Sequence, residues 1–193
     1  MSNAPSSVGR LGAWGLAVLL PACSGDLLGA PRQDTVPRPI HATEAEIAAD
    51  PCKHGDLPRC ADRCMERRDA ASCNTVGVLL EYGADTDFAA AASYYGRACA
   101  ASYAPGCTGL GWLHLLGRGA RKDPVLAIAL FTRAYDGYRL ACAEGHLESC
   151  VAAADFLIDG RGVAHDDAAA LALLDGACDR GERRACERAK TLR

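Results

Sequence analysis

Two cysteines separated by seven residues recur along this chain, at 52 and 60, 99 and 107, 142 and 150, and 178 and 186. A bracket one residue longer joins 64 to 73. These five brackets take up ten of the eleven cysteines and leave only Cys23 over. So many cysteines do not suit a reducing compartment unless they bind metal. A zinc site would show Cys-x2-Cys, or Cys and His paired at short spacing. The chain has no Cys-x2-Cys, and its five histidines keep no repeated offset from the cysteines. No metal and no cofactor is therefore expected. Each bracket reads as a disulfide that staples the end of one helix to the start of the next: Cys52–Cys60, Cys64–Cys73, Cys99–Cys107, Cys142–Cys150 and Cys178–Cys186. In the first two brackets Cys60 and Cys64 are only four residues apart, on one helical face. There the pairing of 52 with 64 and 60 with 73 stays open as an alternative.

The second cysteines of the last four brackets, at 73, 107, 150 and 186, are separated by steps of 34, 43 and 36 residues. Aligned on them, the segments agree in detail. Four residues on is a small residue (Gly77, Gly111, Ala154), six on a large apolar one (Leu79, Leu113, Phe156), and ten on a glycine (Gly83, Gly117, Gly160). An aspartate follows (Asp87, Asp123, Asp166), then an alanine four residues later (Ala91, Ala127, Ala170). Each segment closes on Ala-Cys, at 98–99, 141–142 and 177–178. The pattern predicts two helices per segment. Helix A runs from the cysteine to the glycine, where a left-handed cap ends it. Helix B starts at the aspartate, as N-cap or first-turn anion, and ends in the next bracket, where Gly55, Gly145 or Gly181 turns the chain. The bracket from Cys99 has Ser102 in that place. The small residue four after the cysteine predicts close approach of A and B. The 43-residue step holds seven extra residues, 135–141 (YDGYRLA). Seven residues are two helical turns to within about 20°, so this B helix can lengthen without losing its buried face.

Half of the chain is hydrophobic, largely alanine, and 6% is aromatic. That suits closely packed helices rather than a core of a few large anchors. A net charge of −3 gives no electrostatic reason to expect nucleic acid. Residues 11–20 (LGAWGLAVLL) form an apolar run too short to span a bilayer and right for a signal peptide. They lead into Leu20-Pro21-Ala22-Cys23, which resembles the lipobox of bacterial lipoproteins. Residues 1–22 are expected to be a lipoprotein signal peptide, with Cys23 the lipidated mature N-terminus. Residues 23–50, with Pro31, Pro37 and Pro39, read as a flexible tether. Residues 51–193 are the folded domain.

The repeat of about 36 residues, the turns Gly117-Arg118-Gly119 and Gly160-Arg161-Gly162, and the Asp-to-Ala spacing resemble Sel1-like repeats. The Cys-x7-Cys brackets are similar to those of the secreted cysteine-rich branch, which includes the Helicobacter cysteine-rich proteins. The resemblance covers residues 52–193. It implies an all-α fold, an α/α superhelical solenoid of TPR-like helix pairs bridged by disulfides, with three full repeats and partial ones at both ends.

The resemblance also implies a β-lactam-binding or β-lactamase-like hydrolase as an alternative function. The residues do not carry it. A serine enzyme of that kind needs Ser-x-x-Lys, and Ser93, Ser102 and Ser149 are followed by YYG, YAP and CVA. The reading therefore leans away from an enzyme, with no catalytic residue assigned. It favours a monomeric scaffold, membrane-associated only through its lipid anchor, for protein–protein or cell-envelope interactions. Its partner is an envelope protein or a peptidoglycan-related ligand, and its place is the outer membrane, facing the periplasm or the cell surface. Helix A lines the concave face in related repeats, which makes Trp112, His114, Leu115, Glu81 and Asp155 the candidate ligand contacts. Tyr135 and Tyr138 offer a second patch or, more simply, packing for the longer helix. The Gly-Arg-Gly turns are read as structural, since no strand precedes them as in a phosphate loop. Replacing Cys23 by alanine is expected to release the protein from the membrane fraction; unchanged membrane association would rule out the lipid anchor.

Overall fold

The computed structural model describes residues 48–193. The expected signal peptide, Cys23 and the expected tether up to residue 47 lie outside the described residues. Eight α-helices follow Asp50: α1 (Leu57–Arg67), α2 (Ala70–Tyr82), α3 (Phe88–Ala100), α4 (Ala104–Leu116), α5 (Pro124–Ala143), α6 (Leu147–Asp159), α7 (Asp167–Asp179) and α8 (Arg183–Leu192). No strand occurs among the described residues. Each helix packs on the next in sequence, and α2, α4, α6 and α8 are the A helices of the repeat. A helices also touch one another, α2 against α4 and α6 against α8, whereas consecutive B helices pack less closely. The A helices therefore form the inner row of a disulfide-stapled helical repeat solenoid.

The aspartates start the B helices as the spacing predicts. Asp87, Asp123 and Asp166 accept the backbone N–H of Ala90, Leu126 and Ala169, each at 2.9 Å. The A helices begin three residues before their cysteine rather than at it, and the B helices run one residue past theirs. Only three residues therefore separate α3 from α4, α5 from α6 and α7 from α8. These turns share one geometry: the N–H groups of Tyr103, His146 and Glu182 reach back to the carbonyls of Ala98, Ala141 and Ala177 at 3.0 Å. This is the Schellman closure, and it needs a left-handed residue. Gly145 and Gly181 supply it with φ of 107° and 97°. Ser102 adopts φ 62° in the bracket that lacks glycine, and Arg68 adopts φ 53° in the longer one. A left-handed conformation costs a non-glycine residue about 1–2 kcal/mol. Here the neighbouring staple and the Arg133 guanidinium, which donates to the Ala100 carbonyl and the Ser102 hydroxyl, hold it in place.

All five disulfides pair within their brackets, Cys52 with Cys60 and Cys64 with Cys73 included. Cys60 and Cys64 lie one turn apart on the buried face of α1 and face opposite neighbours along the chain. Each bridge closes a loop of about nine residues, for which chain entropy gives about 2–3 kcal/mol. Five disulfides belong to an oxidising compartment, extracellular or periplasmic.

Gly83 departs from the expected left-handed cap. Its φ is −75° with ψ −177°, against φ of 70° at Gly117 and 62° at Gly160. The cause is the shorter connection to Asp87, which must leave the helix in an extended direction so that the Asp87 N–H can bond the Leu80 carbonyl at 2.8 Å. Glycine is still required, because a Cβ there would lie 2.2 Å from the Leu79 carbonyl oxygen.

The small residue at the fourth position has a specific counterpart on helix B. A Cβ on Gly77 would meet the ring of Tyr95 at 2.6 Å, and one on Gly111 would meet the ring of Phe131 at 2.6 Å. In the third repeat the corresponding residues are Ala154 and Leu174, both fully buried in one cluster. Glycine lies opposite an aromatic ring and alanine opposite leucine, so the two helices remain close while the summed volume changes little. Gly111→Ala is expected to destabilise the fold. The clash, about 1–3 kcal/mol for an overpacked core, outweighs the roughly 1 kcal/mol that alanine gains over glycine inside a helix. In urea unfolding, Phe131→Leu should cost less in the Gly111→Ala background than alone; equal costs would show that the two positions do not share one space.

Candidate functional site

The seven extra residues make α5 a single continuous helix of 20 residues, where α3 and α7 have 13. That adds about 10 Å of length at 1.5 Å per residue. The extra turns change how the A helices are spaced. In α3 one ring serves both A neighbours: Tyr95 lies against Gly77 of α2 and against Gly109 of α4, where a Cβ would come within 2.8 Å. Counted from its aspartate, the residue of α5 equivalent to Tyr95 is Phe131, and it faces Gly111 of α4. Counted from its cysteine, the equivalent is Tyr138, whose ring packs on Phe156 of α6 with centroids 5.7 Å apart. Two rings, two turns apart, thus replace one. Each ring touches both neighbours, since Phe131 also meets Phe156 of α6 and Tyr138 also bonds the Thr108 side chain of α4, but α4 and α6 pack together less closely than α2 and α4.

The space between them is a groove of about 800 Å³. Its near wall is the start of α4, with Ser102, Tyr103, Ala104 and Pro105. Gly137, Tyr138 and Ala141 of the lengthened helix form its floor. The far wall is the first half of α6, with Leu147, Val151, Ala152 and Asp155. Polar side chains stand around it: Glu144, Glu148 and His146 at the bracket, and Arg184 from α8. Burial raises the pKa of the Tyr138 and Tyr103 hydroxyls above the usual tyrosine value, so both stay neutral at physiological pH and serve as hydrogen-bonding groups.

The other end of the α4–α6 gap is filled by aromatic packing. Trp112 meets Phe131 edge-on at 5.3 Å, and Phe131 meets Phe156 at 6.2 Å. Arg161, from the second Gly-Arg-Gly turn, lies over the rings of Trp112 at 5.0 Å and Phe156 at 5.1 Å and pairs with Asp159. Arg118 of the first such turn lies in the same way over Phe88 at 5.6 Å. The final glycine of each turn rests on the preceding B helix. A Cβ on Gly119 would strike the Phe88 carbonyl group at 2.1 Å, and one on Gly162 the Thr132 nitrogen at 2.5 Å. The Gly-Arg-Gly turn is thus a clasp on the preceding helix, and its arginine is committed to rings.

The candidate ligand contacts fall in different places. Trp112 and Leu115 are half-buried in the aromatic cluster. The ring Nδ1 of His114 is 3.1 Å from the Arg121 carbonyl, which makes that nitrogen the donor and His114 a tie across the turn. Glu81 does not reach the surface: it is 7% exposed and accepts the Tyr95 hydroxyl at 2.8 Å. Its carboxylate is held inside by the ring that needs glycine beside it, which the repeat pattern did not reveal. Asp155 borders the groove and pairs with Arg188 of α8 at 2.9 Å. Glu144, Glu148, His146 and Arg184 were not among the candidates. The sequence signal that points to them is the seven-residue insertion, which carries the Tyr135 and Tyr138 patch as well as added length. Tyr138 packs on the next repeat, as the simpler reading had it, and also forms part of the groove floor.

No protein-family model matches the chain, and no curated protein does. Solved structures similar to it include a Sel1 repeat protein from Oxalobacter formigenes, at 20% identity and a TM-score of 0.49, covering 75% of this chain and 57% of that one. Cysteine-rich protein B of Helicobacter pylori matches at 22% identity and a TM-score of 0.43, over 70% of this chain and 95% of that one. A protective antigen of uropathogenic Escherichia coli with an SLR fold matches at 19% identity and a TM-score of 0.36, over 68% and 35%. The chain thus spans little more than half the length of the Oxalobacter protein. Its own helix pairs, clasping turns and stapled brackets fit a Sel1-like cysteine-rich protein.

Replacing Arg161 by glutamine removes the cation from between the rings and leaves Asp159 unpaired. Unfolding is expected to become easier by about 1–2 kcal/mol, and emission from Trp112 to shift to longer wavelength. Unchanged emission and stability would show that the clasp contributes nothing.

Proposed function

We propose that this chain is an exported scaffold that holds a protein partner on the inner row of its solenoid. In this reading it is tethered to the outer membrane through lipidated Cys23, facing the periplasm or the cell surface, and its partner is an envelope protein or a peptidoglycan-related ligand. The observation that carries the reading is the groove between α4 and α6. Solenoids present such concave surfaces for recognition, and this one is lined by apolar walls with charged groups at its edge. Its size falls within the range of binding clefts, about 300–1,000 Å³. Ser102 and Ser149 border the groove, but no lysine is among its lining residues, so the pair that would activate a serine for β-lactam attack is not assembled there.

Photo-cross-linkers placed at Ala141 and Ala152 in cells should capture one discrete species, identifiable by mass spectrometry. The same groups placed at Ala84 and Asp85, on the α2–α3 turn, should not. Equal capture at both places, or none, would count against a scaffold acting through this groove. Turnover of a chromogenic β-lactam by the oxidised protein, abolished by one groove substitution, would restore the enzyme.

A further inference from the structure

The groove has a chemistry that selects among partners. We infer that it receives an extended polypeptide segment bearing lysine or arginine, with the cationic side chain seated between Glu144 and Glu148 and the rings of Tyr103 and Tyr138. This rests on the scaffold reading and specifies its partner.

Shape comes first. Along α6 the wall runs from Leu147 to Asp155, eight rises of 1.5 Å or about 12 Å of helix. An extended chain advances about 3.3–3.6 Å per residue, so three to four residues fit side by side with this wall. Alanines at 104, 141 and 152 keep the channel open to a main chain, while Pro105, Val151 and Leu147 offer apolar contact.

Charge then decides the occupant. Asp155 is already paired with Arg188. Glu144 and Glu148 are exposed and form no ion pair with the described residues. Arg184, at the other side, likewise has no carboxylate partner among them. Helix dipoles do not change this balance, because at each bracket the C-terminus of a B helix meets the N-terminus of an A helix and the partial charges oppose. Two carboxylates without an ion pair thus stand at the bracket end, where the Arg180 guanidinium comes up against Gly145, and the Arg184 guanidinium stands at the α8 end. The faces of Tyr103 and Tyr138 add attraction for a cation. A lysine or arginine stem can lie along the floor with its charged head at the glutamates. Arg184 is left to meet a carboxylate further along the same segment.

The test uses purified, oxidised full-length protein and short fluorescent peptides of alternating lysine and alanine, or of glutamate and alanine. The basic peptide should bind and the acidic one should not, and added salt should weaken the binding. Reversing both groove charges, Glu144→Lys with Glu148→Lys, should weaken it roughly tenfold or more. The same charge change made on exposed residues away from the groove, Glu66→Lys with Asp85→Lys, should leave it nearly unchanged. Ala152→Trp should block it. Preference for the acidic peptide, absence of binding by the basic one, or equal loss from both charge reversals would each overturn the assignment. Self-association of the protein that Ala152→Trp abolishes would name a second copy as occupant and overturn it too. If cross-linking in cells still captures a groove partner after any of these failures, the scaffold stands and only the chemistry assigned to its partner falls. If cross-linking captures nothing, the scaffold reading itself falls.

Discussion

A large side chain of each B helix resting on small residues of the adjacent A helices is the contact on which the rest of this structure depends. Tyr95 on Gly77 and Gly109, Phe131 on Gly111, and Leu174 against Ala154 are three versions of it. With alanine as the main core residue, few other side chains are large enough to set the distance between helices. The ring or leucine therefore determines how closely A and B approach and where along the B helix each A helix sits. The disulfides act on a different quantity. They fix how one helix turns into the next, at three of the five through a three-residue loop with one left-handed residue, and they limit the unfolded chain. The packing contact selects positions; the staples hold directions.

Much of this was legible in the sequence because it is carried by residues with special backbone or capping chemistry. The capping aspartates, the left-handed glycines at 117, 145, 160 and 181, and the brackets each have one physical use at that spacing. Gly83 was misread because the same residue type can serve a close approach as well as a positive φ, and only the shortened connection to Asp87 tells which. Glu81 was misread for another reason. Helical periodicity placed it on the inner row, but the Tyr95 hydroxyl draws it inward, and that partner lies fourteen residues away on the next helix. The N-terminal pairing among four cysteines could not be chosen from spacing. It follows once α1 is seen to carry Cys60 and Cys64 on one face with a neighbour on either side.

The groove was the least legible feature, though its cause was in plain view. Seven residues inserted into a helix preserve its buried stripe, so local pattern records no disturbance. What changes is the distance between two docking points on that helix. When Phe131 and Tyr138 share the task that Tyr95 performs alone, α4 and α6 pack together less closely than α2 and α4, and their flanks become walls. A binding surface arises here from the spacing of packing contacts, with no new element and no loop. The aromatic block around Arg161 closes one end of the gap and leaves the bracket end, with its glutamates, open.

The five disulfides have a further consequence, which lies in their range rather than in their strength. Every bridge joins cysteines eight or nine residues apart, and every helix packs on its neighbour in sequence. A chain crossing a membrane unfolded emerges in order from its N-terminus. Each bracket here is complete as soon as its own hairpin has emerged, and the preceding helix pair is already present to receive the next. The correct cysteine is also the nearest one still ahead, so oxidation can follow translocation step by step. Low contact order of this kind shortens the search for native pairing, and a cysteine-rich array can lengthen by repeats without making its oxidation harder.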